Sequence, residues 1–128
     1  MKEKILSYLI NEGMYEVKDY GCFSPEPADY PDFAHPMAKA VSAGEFEAGI
    51  SICGTGNGIN MVVNKYSNIR GALCWNEEIS RLARAHNDAN ICALPARFIS
   101  ESEAYLIVRT FLSTAFESGR HLKRIQKI

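Results

Sequence analysis

Residues 49–61 constrain the fold of this chain more than any other stretch. A short apolar run ends at Cys53, glycines follow at every second position (Gly54, Gly56 and Gly58), and a helical pattern begins directly after them. This succession predicts a buried strand, a tight loop and a helix. Such a loop is either an ordinary tight turn or an anion-binding site built from backbone N–H groups, and the pattern alone leaves both interpretations open.

Composition and charge narrow the class of protein. The chain has 128 residues, of which 47% are hydrophobic and 23% are charged, as expected of one globular domain covering residues 1–128. A net charge of −1 gives no reason to expect nucleic acid or a membrane surface as a partner. No apolar run approaches the roughly 20 residues of a membrane helix, and no signal peptide is recognisable, so we expect a cytoplasmic protein.

The four cysteines form neither a C-x-x-C pair nor a recognisable disulfide framework. Cys74 and Cys92 lie in apolar runs and are expected to be small buried hydrophobic residues. Cys22 lies in a turn-rich segment. Cys53 differs from these three because a glycine loop follows it.

Apolar periodicity predicts helices alternating with strands. Strands are expected at residues 15–20, 48–53, 69–75 and 90–94, and helices at residues 5–10, 33–44, 58–66, 76–86, 100–112 and 120–128. Ser100 and Glu103 have the spacing of a capping box. This alternation is typical of an α/β three-layer sandwich with a doubly wound parallel sheet. Ligands of such sheets bind beyond the carboxyl ends of strands, where Cys53 is placed.

Several charged and polar residues are candidates for a ligand site. His86 and Asn87 end a predicted helix, and His86 is either a general acid or a structural group stabilised by the helix dipole. Arg120 and Arg124 are four residues apart on one helix face, which suggests a phosphate clamp or a solvated basic terminus. Arg97, after a strand, either joins the clamp or pairs with a carboxylate.

Two aromatic residues are also candidates for a pocket. Tyr30 precedes a proline, and either lines a pocket or packs in its loop. Trp75 ends a predicted strand, and we expect it to pack against the protein.

The ordered motifs resemble the ribose-5-phosphate isomerase B family, whose close relatives include galactose-6-phosphate isomerase subunits. The matching segments are Asp29-Tyr30-Pro31-Asp32, Ile52-Cys53-Gly54-Thr55-Gly56-Asn57-Gly58, Asn64-Lys65, Ile69-Arg70-Gly71-Ala72-Leu73-Cys74, Ala83-Arg84-x-His86-Asn87-Asp88-Ala89-Asn90, Ala96-Arg97 and Phe116-Glu117-x-Gly119-Arg120-His121-x-x-Arg124. They cover essentially the whole chain in family order.

The resemblance implies a Rossmann-like or flavodoxin-like sandwich that forms a dimer, or a pair of dimers, with active sites shared between subunits. It implies an interconversion of aldose and ketose phosphates without metal or cofactor. On this chain it makes Cys53 the base and His86 the group that assists ring opening. The remaining implied substrate contacts are the backbone of Gly54, Thr55, Gly56, Asn57 and Gly58, and the side chains of Tyr30, Asn87, Arg97, Arg120 and Arg124.

One departure from the family pattern concerns the N-terminus. Relatives begin with a strand followed by an Asp-His-Ala-Gly-like loop, and Met1 aligns just beyond that loop. The absent strand belongs to the middle of the family sheet, so its neighbours would carry unpaired backbone groups. We therefore expect the chain as written to be a poor catalyst with reduced stability.

The sequence leaves the substrate and the catalytic competence open. Ribose 5-phosphate is the expected substrate, with galactose 6-phosphate and allose 6-phosphate as alternatives. A non-catalytic phosphosugar-binding subunit is a further hypothesis, and a nucleotide-binding module is a third. Retention of Cys53, His86 and both arginines favours the enzyme, because a binding protein needs no base.

Overall fold

A three-stranded parallel sheet forms the centre of the computed structural model, which describes residues 1–128. The elements in chain order are α1 (Lys2–Glu12), α2 (Tyr30–Ser42), β1 (Gly49–Cys53), α3 (Asn57–Val63), β2 (Gly71–Leu73), α4 (Glu77–Asn87), β3 (Ile91–Pro95), α5 (Glu101–Ser113) and α6 (Arg120–Ile125). The strand order is β1-β3-β2, so β3 is the central strand. Gly49 pairs with Ile91 and Cys53 with Pro95, which places the carboxyl ends of β1 and β3 side by side.

The central strand separates two hydrophobic cores. Every residue of β3 is buried, and alternate side chains of a strand point to opposite faces. Ile91 and Ala93 pack with α2 and α3, whereas Cys92 and Leu94 pack with α1, α4 and α5. These two cores confirm the expected three-layer α/β sandwich with helices on both faces of a parallel sheet.

Local signals in the sequence explain where the helices begin. The Asn76 side chain accepts a hydrogen bond from the Ile79 N–H at 2.8 Å and caps α4. Both bonds of the predicted capping box between Ser100 and Glu103 are present at the start of α5. Pro31 lies in the first turn of α2, where its missing N–H has no intrahelical acceptor.

The outer edge of β1 has no neighbouring strand, and a cavity of about 1010 Å³ lies beside it. Residues 15–20 line this cavity together with β1. The prediction of a strand at residues 15–20 is wrong, because a strand needs a hydrogen-bonded neighbour and the cavity occupies that place. The buried Ser51 Oγ, which lacks a hydrogen-bond partner, lines the same cavity. The sheet thus has no strand on this side of β1.

Smaller differences concern element ends and one aromatic residue. The strand expected at residues 69–75 is limited to Gly71–Leu73, and the last helix ends at Ile125. Trp75 does not pack as expected, since 51% of its surface is exposed where the chain leaves the sheet for α4. Cys74 and Cys92 are buried as predicted. No helix has the length and apolar character needed to span a membrane.

Candidate functional site

The Cys53 side chain lies at the carboxyl end of β1, where the sheet gives way to the glycine loop. Its thiol is free and partly buried. The Cys53 carbonyl accepts a hydrogen bond from the Ala96 N–H at 2.9 Å, and the Gly54 carbonyl accepts one from the Arg97 N–H at 3.0 Å. These two bonds fix the start of the loop against the end of β3.

The loop after Cys53 offers unused hydrogen-bond donors. The backbone N–H groups of Gly54, Thr55, Gly56 and Gly58 donate to no acceptor in the chain, whereas the Asn57 N–H donates to Thr55 Oγ1 at 3.3 Å. Free N–H groups from successive loop residues can together bind an anionic oxygen. Thr55 and Asn57 are exposed, so this side of the loop is open to solvent.

Close packing around the loop explains two of its glycines. Gly56 has φ +75°, and a Cβ there would collide with Leu73 Cδ1, so only glycine fits both the backbone and the space. A Cβ on Gly58 would lie 2.6 Å from the Tyr30 hydroxyl oxygen. Tyr30 opens α2, is 44% exposed, and thus stands beside the loop rather than in a packed interior.

Arg97 belongs to the same end of the sheet. A Cβ on Gly54 would lie 3.1 Å from Arg97 Nε, so this guanidinium group covers the first loop residue. Arg97 is exposed and forms no ion pair in the chain, so it does not pair with a carboxylate, which was one of the two alternatives for this residue. Its charge is available to an anionic ligand at the carboxyl end of β1 and β3.

His86 lies at the opposite end of the sheet, in the last turn of α4. Its ring stacks on that of His121, with centroids 4.1 Å apart and planes 12° apart. Glu117 Oε2 lies 3.7 Å from His86 Nε2 and 3.8 Å from His121 Nε2. Removal from water and the nearby charges of His86, Arg120 and Arg124 lower the pKa of His121, which favours its neutral form.

Backbone contacts hold this second group of residues in place. The Glu117 N–H donates to the Ala85 carbonyl at 2.9 Å and ties the segment before α6 to α4. Asp88 Oδ2 lies 3.0 Å from Arg70 Nη2, and Asp88 Oδ1 lies 3.1 Å from Arg84 Nη1. These bonds fix the turn that follows Asn87.

Three of the predicted site residues at this end, Asn87, Arg120 and Arg124, are exposed. Asn87 lines a small cavity of about 270 Å³ together with Arg70 and Ile128. Neither arginine has an ion-pair partner in the chain, so both charges face solvent. The two positive groups on one face of a short helix can bind an anion from solution.

The predicted site residues therefore form two separate groups. The carboxyl-end group contains Cys53, the loop of residues 54–58, Tyr30 and Arg97, and the amino-end group contains His86, Asn87, Arg120 and Arg124. His86 lies shortly before Ile91, the first residue of β3, and Ile91 pairs with Gly49 at the start of β1. Cys53 is at the other end of β1, so the length of that strand separates His86 from Cys53. Four residues of strand span about 13 Å, too far for both side chains to contact one reacting sugar carbon. A single chain does not bring the two groups together.

Two residues that lie beside the amino-end group, Glu117 and His121, have no predicted role. Both belong to the family-like motif around residues 116–124, and their spacing of four is the one signal that could have paired them. Their position over His86 depends on the turn at Ser118 and Gly119, whose φ angles are +59° and +54°. Positive φ at a serine is not readable from sequence.

Comparison with known proteins shows similarity along the whole chain. The family model described as Ribose/Galactose Isomerase matches residues 1–128. Ribose-5-phosphate isomerase B of Escherichia coli is 40% identical over 128 residues, which are all of this chain and 85% of that protein.

Solved structures agree with this similarity. A ribose 5-phosphate isomerase from Thermotoga maritima is 48% identical, with a TM-score of 0.94 over 98% of this chain and 86% of that one. Ribose-5-phosphate isomerase B from Mycoplasma genitalium, solved with bound ribulose-5-phosphate, is 40% identical, with a TM-score of 0.91 over 97% of this chain and 83% of that one.

Proposed function

Because this chain belongs to the ribose/galactose isomerase family, we propose that it interconverts ribose 5-phosphate and ribulose 5-phosphate by proton transfer at Cys53. The observation that carries the proposal is the thiol of Cys53 beside a loop of free backbone donors. Sugar phosphate isomerisation is the activity named for the related proteins. The pentose phosphate, the residue roles and the assembly are inferences for this chain.

In the proposed reaction, the Cys53 thiolate removes the proton from C2 of the open-chain aldose. The electron pair of that C–H bond forms the C1–C2 double bond, and the carbonyl electrons move onto O1 to give an enediolate. The same thiol then returns the proton to C1, and the proton of the O2 hydroxyl passes to O1, so that C2 becomes the ketone and O1 becomes a hydroxyl. The atoms and charges balance without a metal or cofactor.

The loop of residues 54–58 stabilises the enediolate in this scheme. Its free N–H groups point at no protein acceptor, so they are available to the oxygen on which negative charge develops. Removing one such donor typically costs about 10²–10³ in rate. Tyr30 lines the sugar pocket beside Gly58, and Arg97 contributes a positive charge at the same end.

The amino-end group supplies the remaining functions. His86 moves a proton between the anomeric hydroxyl and the ring oxygen during ring opening, and Asn87 contacts sugar hydroxyls. Arg120 and Arg124 bind the phosphate, whose oxygens match the forked geometry of guanidinium groups. We propose that these side chains come from a second copy of the chain, since one copy separates them from Cys53 by about 13 Å.

Isotope exchange in heavy water tests the proposal. We expect the protein to exchange deuterium into C2 of ribose 5-phosphate, and the Cys53→Ala variant to lose about 10²–10⁴-fold of that rate, the usual share of a general base. Cys22→Ala removes an exposed thiol elsewhere and is the matched control. Wild-type exchange by Cys53→Ala would refute the assigned base. Saturable binding of ribose 5-phosphate without exchange would instead identify a phosphosugar-binding subunit.

A further inference from the structure

The cluster of His86, Glu117 and His121 has a donor set that the proposed chemistry does not use as a unit. We propose that these three side chains bind one divalent transition-metal ion of the Zn²⁺ class. Their nearest ligand atoms, one from each residue, all lie within 4.8 Å of one another. Two imidazoles and one carboxylate form a common set of protein ligands for Zn²⁺, which leaves a fourth position open.

The distances in the cluster are close to those of a metal site. Ligand atoms about 2.0–2.1 Å from a tetrahedral ion lie about 3.4 Å from each other. Glu117 Oε2 lies 3.7 Å from His86 Nε2 and 3.8 Å from His121 Nε2, so these two gaps must shorten by only a few tenths of an ångström. The two imidazole ligand atoms lie within 4.8 Å of each other and must also approach as the rings move. Neither separation is short enough for a hydrogen bond.

The rings must open for the ion to enter. A metal lies near the plane of each imidazole that binds it, and the two planes are now 12° apart in a stack. His86 has the freedom to tilt, because 34% of its side chain is exposed. His121 is buried and provides the fixed ligand.

The backbone prepares the cluster before any ion is present. Glu117 is tied to α4 through the Ala85 carbonyl, and the His121 N–H donates to the Ser118 carbonyl at 3.0 Å. Ser118 has φ +59°, a conformation that is unfavourable for a residue other than glycine and that persists where surrounding contacts hold it. This turn brings the His121 ring beside His86, with the Glu117 carboxylate near the Nε2 atoms of both rings.

The charges around the cluster set the expected strength of binding. Arg120 and Arg124 lie nearby and repel a cation, so we expect weaker binding than at a closed structural zinc site. A bound ion takes up the lone pair of His86 Nε2, so that His86 can no longer move a proton. Inhibition of isomerisation by the metal therefore rests on the proposed function, whereas metal binding itself does not.

Titration of the untagged, metal-free protein with Zn²⁺ by calorimetry, and with Co²⁺ by visible absorption, tests the site. We expect one ion per chain and a cobalt spectrum without the charge-transfer band of a thiolate ligand. His86→Gln, Glu117→Gln and His121→Gln should each weaken binding more than about 10-fold, since loss even of outer-shell partners costs 10–100-fold. His35→Gln is the matched control, because His35 is the one histidine outside the cluster and its Nδ1 lies 2.6 Å from the Tyr66 hydroxyl oxygen.

Three results would overturn the site. These are the absence of saturable binding, unchanged binding by Glu117→Gln and His121→Gln, and an equal loss with His35→Gln. Near-ultraviolet circular dichroism of each variant checks that its fold is intact, and retention of the spectrum with loss of binding supports the site. Loss of binding with Cys53→Ala alone would place the ion on the thiol and contradict the proposal.

Discussion

The two ends of the sheet carry functional groups of different kinds. At the carboxyl end, the candidate groups are a thiol and the main chain of a loop whose glycines allow close approach. At the amino end, they are long or aromatic side chains at the end of α4 and on α6. In the proposed function, the first end stabilises charge on the reacting part of the substrate, and the second binds its phosphate.

This difference has a consequence for assembly. Cys53 and the loop of residues 54–58 are held in place within one chain by β1, β3 and α3. Arg120 and Arg124 project from α6 without an ion-pair partner in the same chain. In the proposed dimer, a two-fold arrangement that brings the amino end of one copy to the carboxyl end of another completes two sites at once.

The largest expected effect is recovery of activity by two inactive variants. Cys53→Ala disables the carboxyl-end group, and His86→Gln disables the amino-end group. If sites are shared, refolding the two variants together gives mixed dimers with one intact site each. Random pairing then restores about a quarter of the wild-type activity per chain. Steady-state turnover before and after joint refolding measures this recovery.

A second mixture tests the assignment of residues to ends. Cys53→Ala and Arg97→Ala both alter the carboxyl-end group, so their mixed dimers contain no intact site. We expect their joint refolding to give no more activity than the average of the two refolded separately. Recovery in this mixture, or none with Cys53→Ala and His86→Gln, would contradict shared sites divided in this way.

The second prediction concerns the main-chain character of the carboxyl end. Gly56→Ala forces a Cβ into Leu73 Cδ1 at a φ of +75°. A non-glycine residue in the left-handed region costs about 1–2 kcal/mol, and crowding adds to that. We expect the free energy of unfolding to fall by more than about 2 kcal/mol, and turnover by about 10²–10³ because the loop donors shift. Urea unfolding and steady-state kinetics measure the two effects.

Gly44→Ala separates strain from crowding. Gly44 has φ +77° but no heavy atom within 4 Å of a built Cβ. Its replacement should cost only the 1–2 kcal/mol of the backbone conformation and leave turnover unchanged. Equal losses of stability in the two variants would show that packing against Leu73 contributes nothing.

The sequence predicts those features that depend on neighbours along the chain. The succession of strand, loop and helix around Cys53 and the capping box at Ser100 are both present. Each rests on hydrogen bonds or periodicity within a few residues.

Features that depend on distant parts of the chain are not predicted in this way. Residues 15–20 have a strand-like pattern, yet the cavity of about 1010 Å³ leaves them without a partner. The separation of Cys53 from His86 follows from the register of β1 with β3, which no local pattern specifies. The contact of Glu117 with two histidines follows from two successive positive φ angles before α6.

The third prediction tests whether local stability near the carboxyl end affects function. Ser100 accepts a hydrogen bond from the Glu103 N–H at 3.2 Å and forms no hydrogen bond with the loop at residues 54–58. Ser100→Ala should lower the free energy of unfolding by about 1 kcal/mol, the usual value of an N-cap, without changing turnover. Ser113→Ala, at the exposed other end of α5, should change neither. A loss of turnover in Ser100→Ala would mean that the loop depends on α5 for its position.

The smallest expected effect is a pH dependence of stability that belongs to the amino end alone. Burial and the charges of His86, Arg120 and Arg124 lower the pKa of His121 below its ordinary value of 6.5, while Glu117 partly opposes this. Between these two pKa values the unfolded chain binds more protons than the folded one. The free energy of unfolding therefore decreases as the pH falls below 6.5 and stops decreasing below the folded-state pKa.

His121→Gln should remove this part of the acid sensitivity, so that the difference in urea midpoint between pH 7.5 and pH 5 becomes smaller than in the wild type. His35→Gln, which removes an exposed imidazole from α2, should leave that difference unchanged. An equal or larger acid sensitivity in His121→Gln would mean that the loss of stability on acidification does not come from His121.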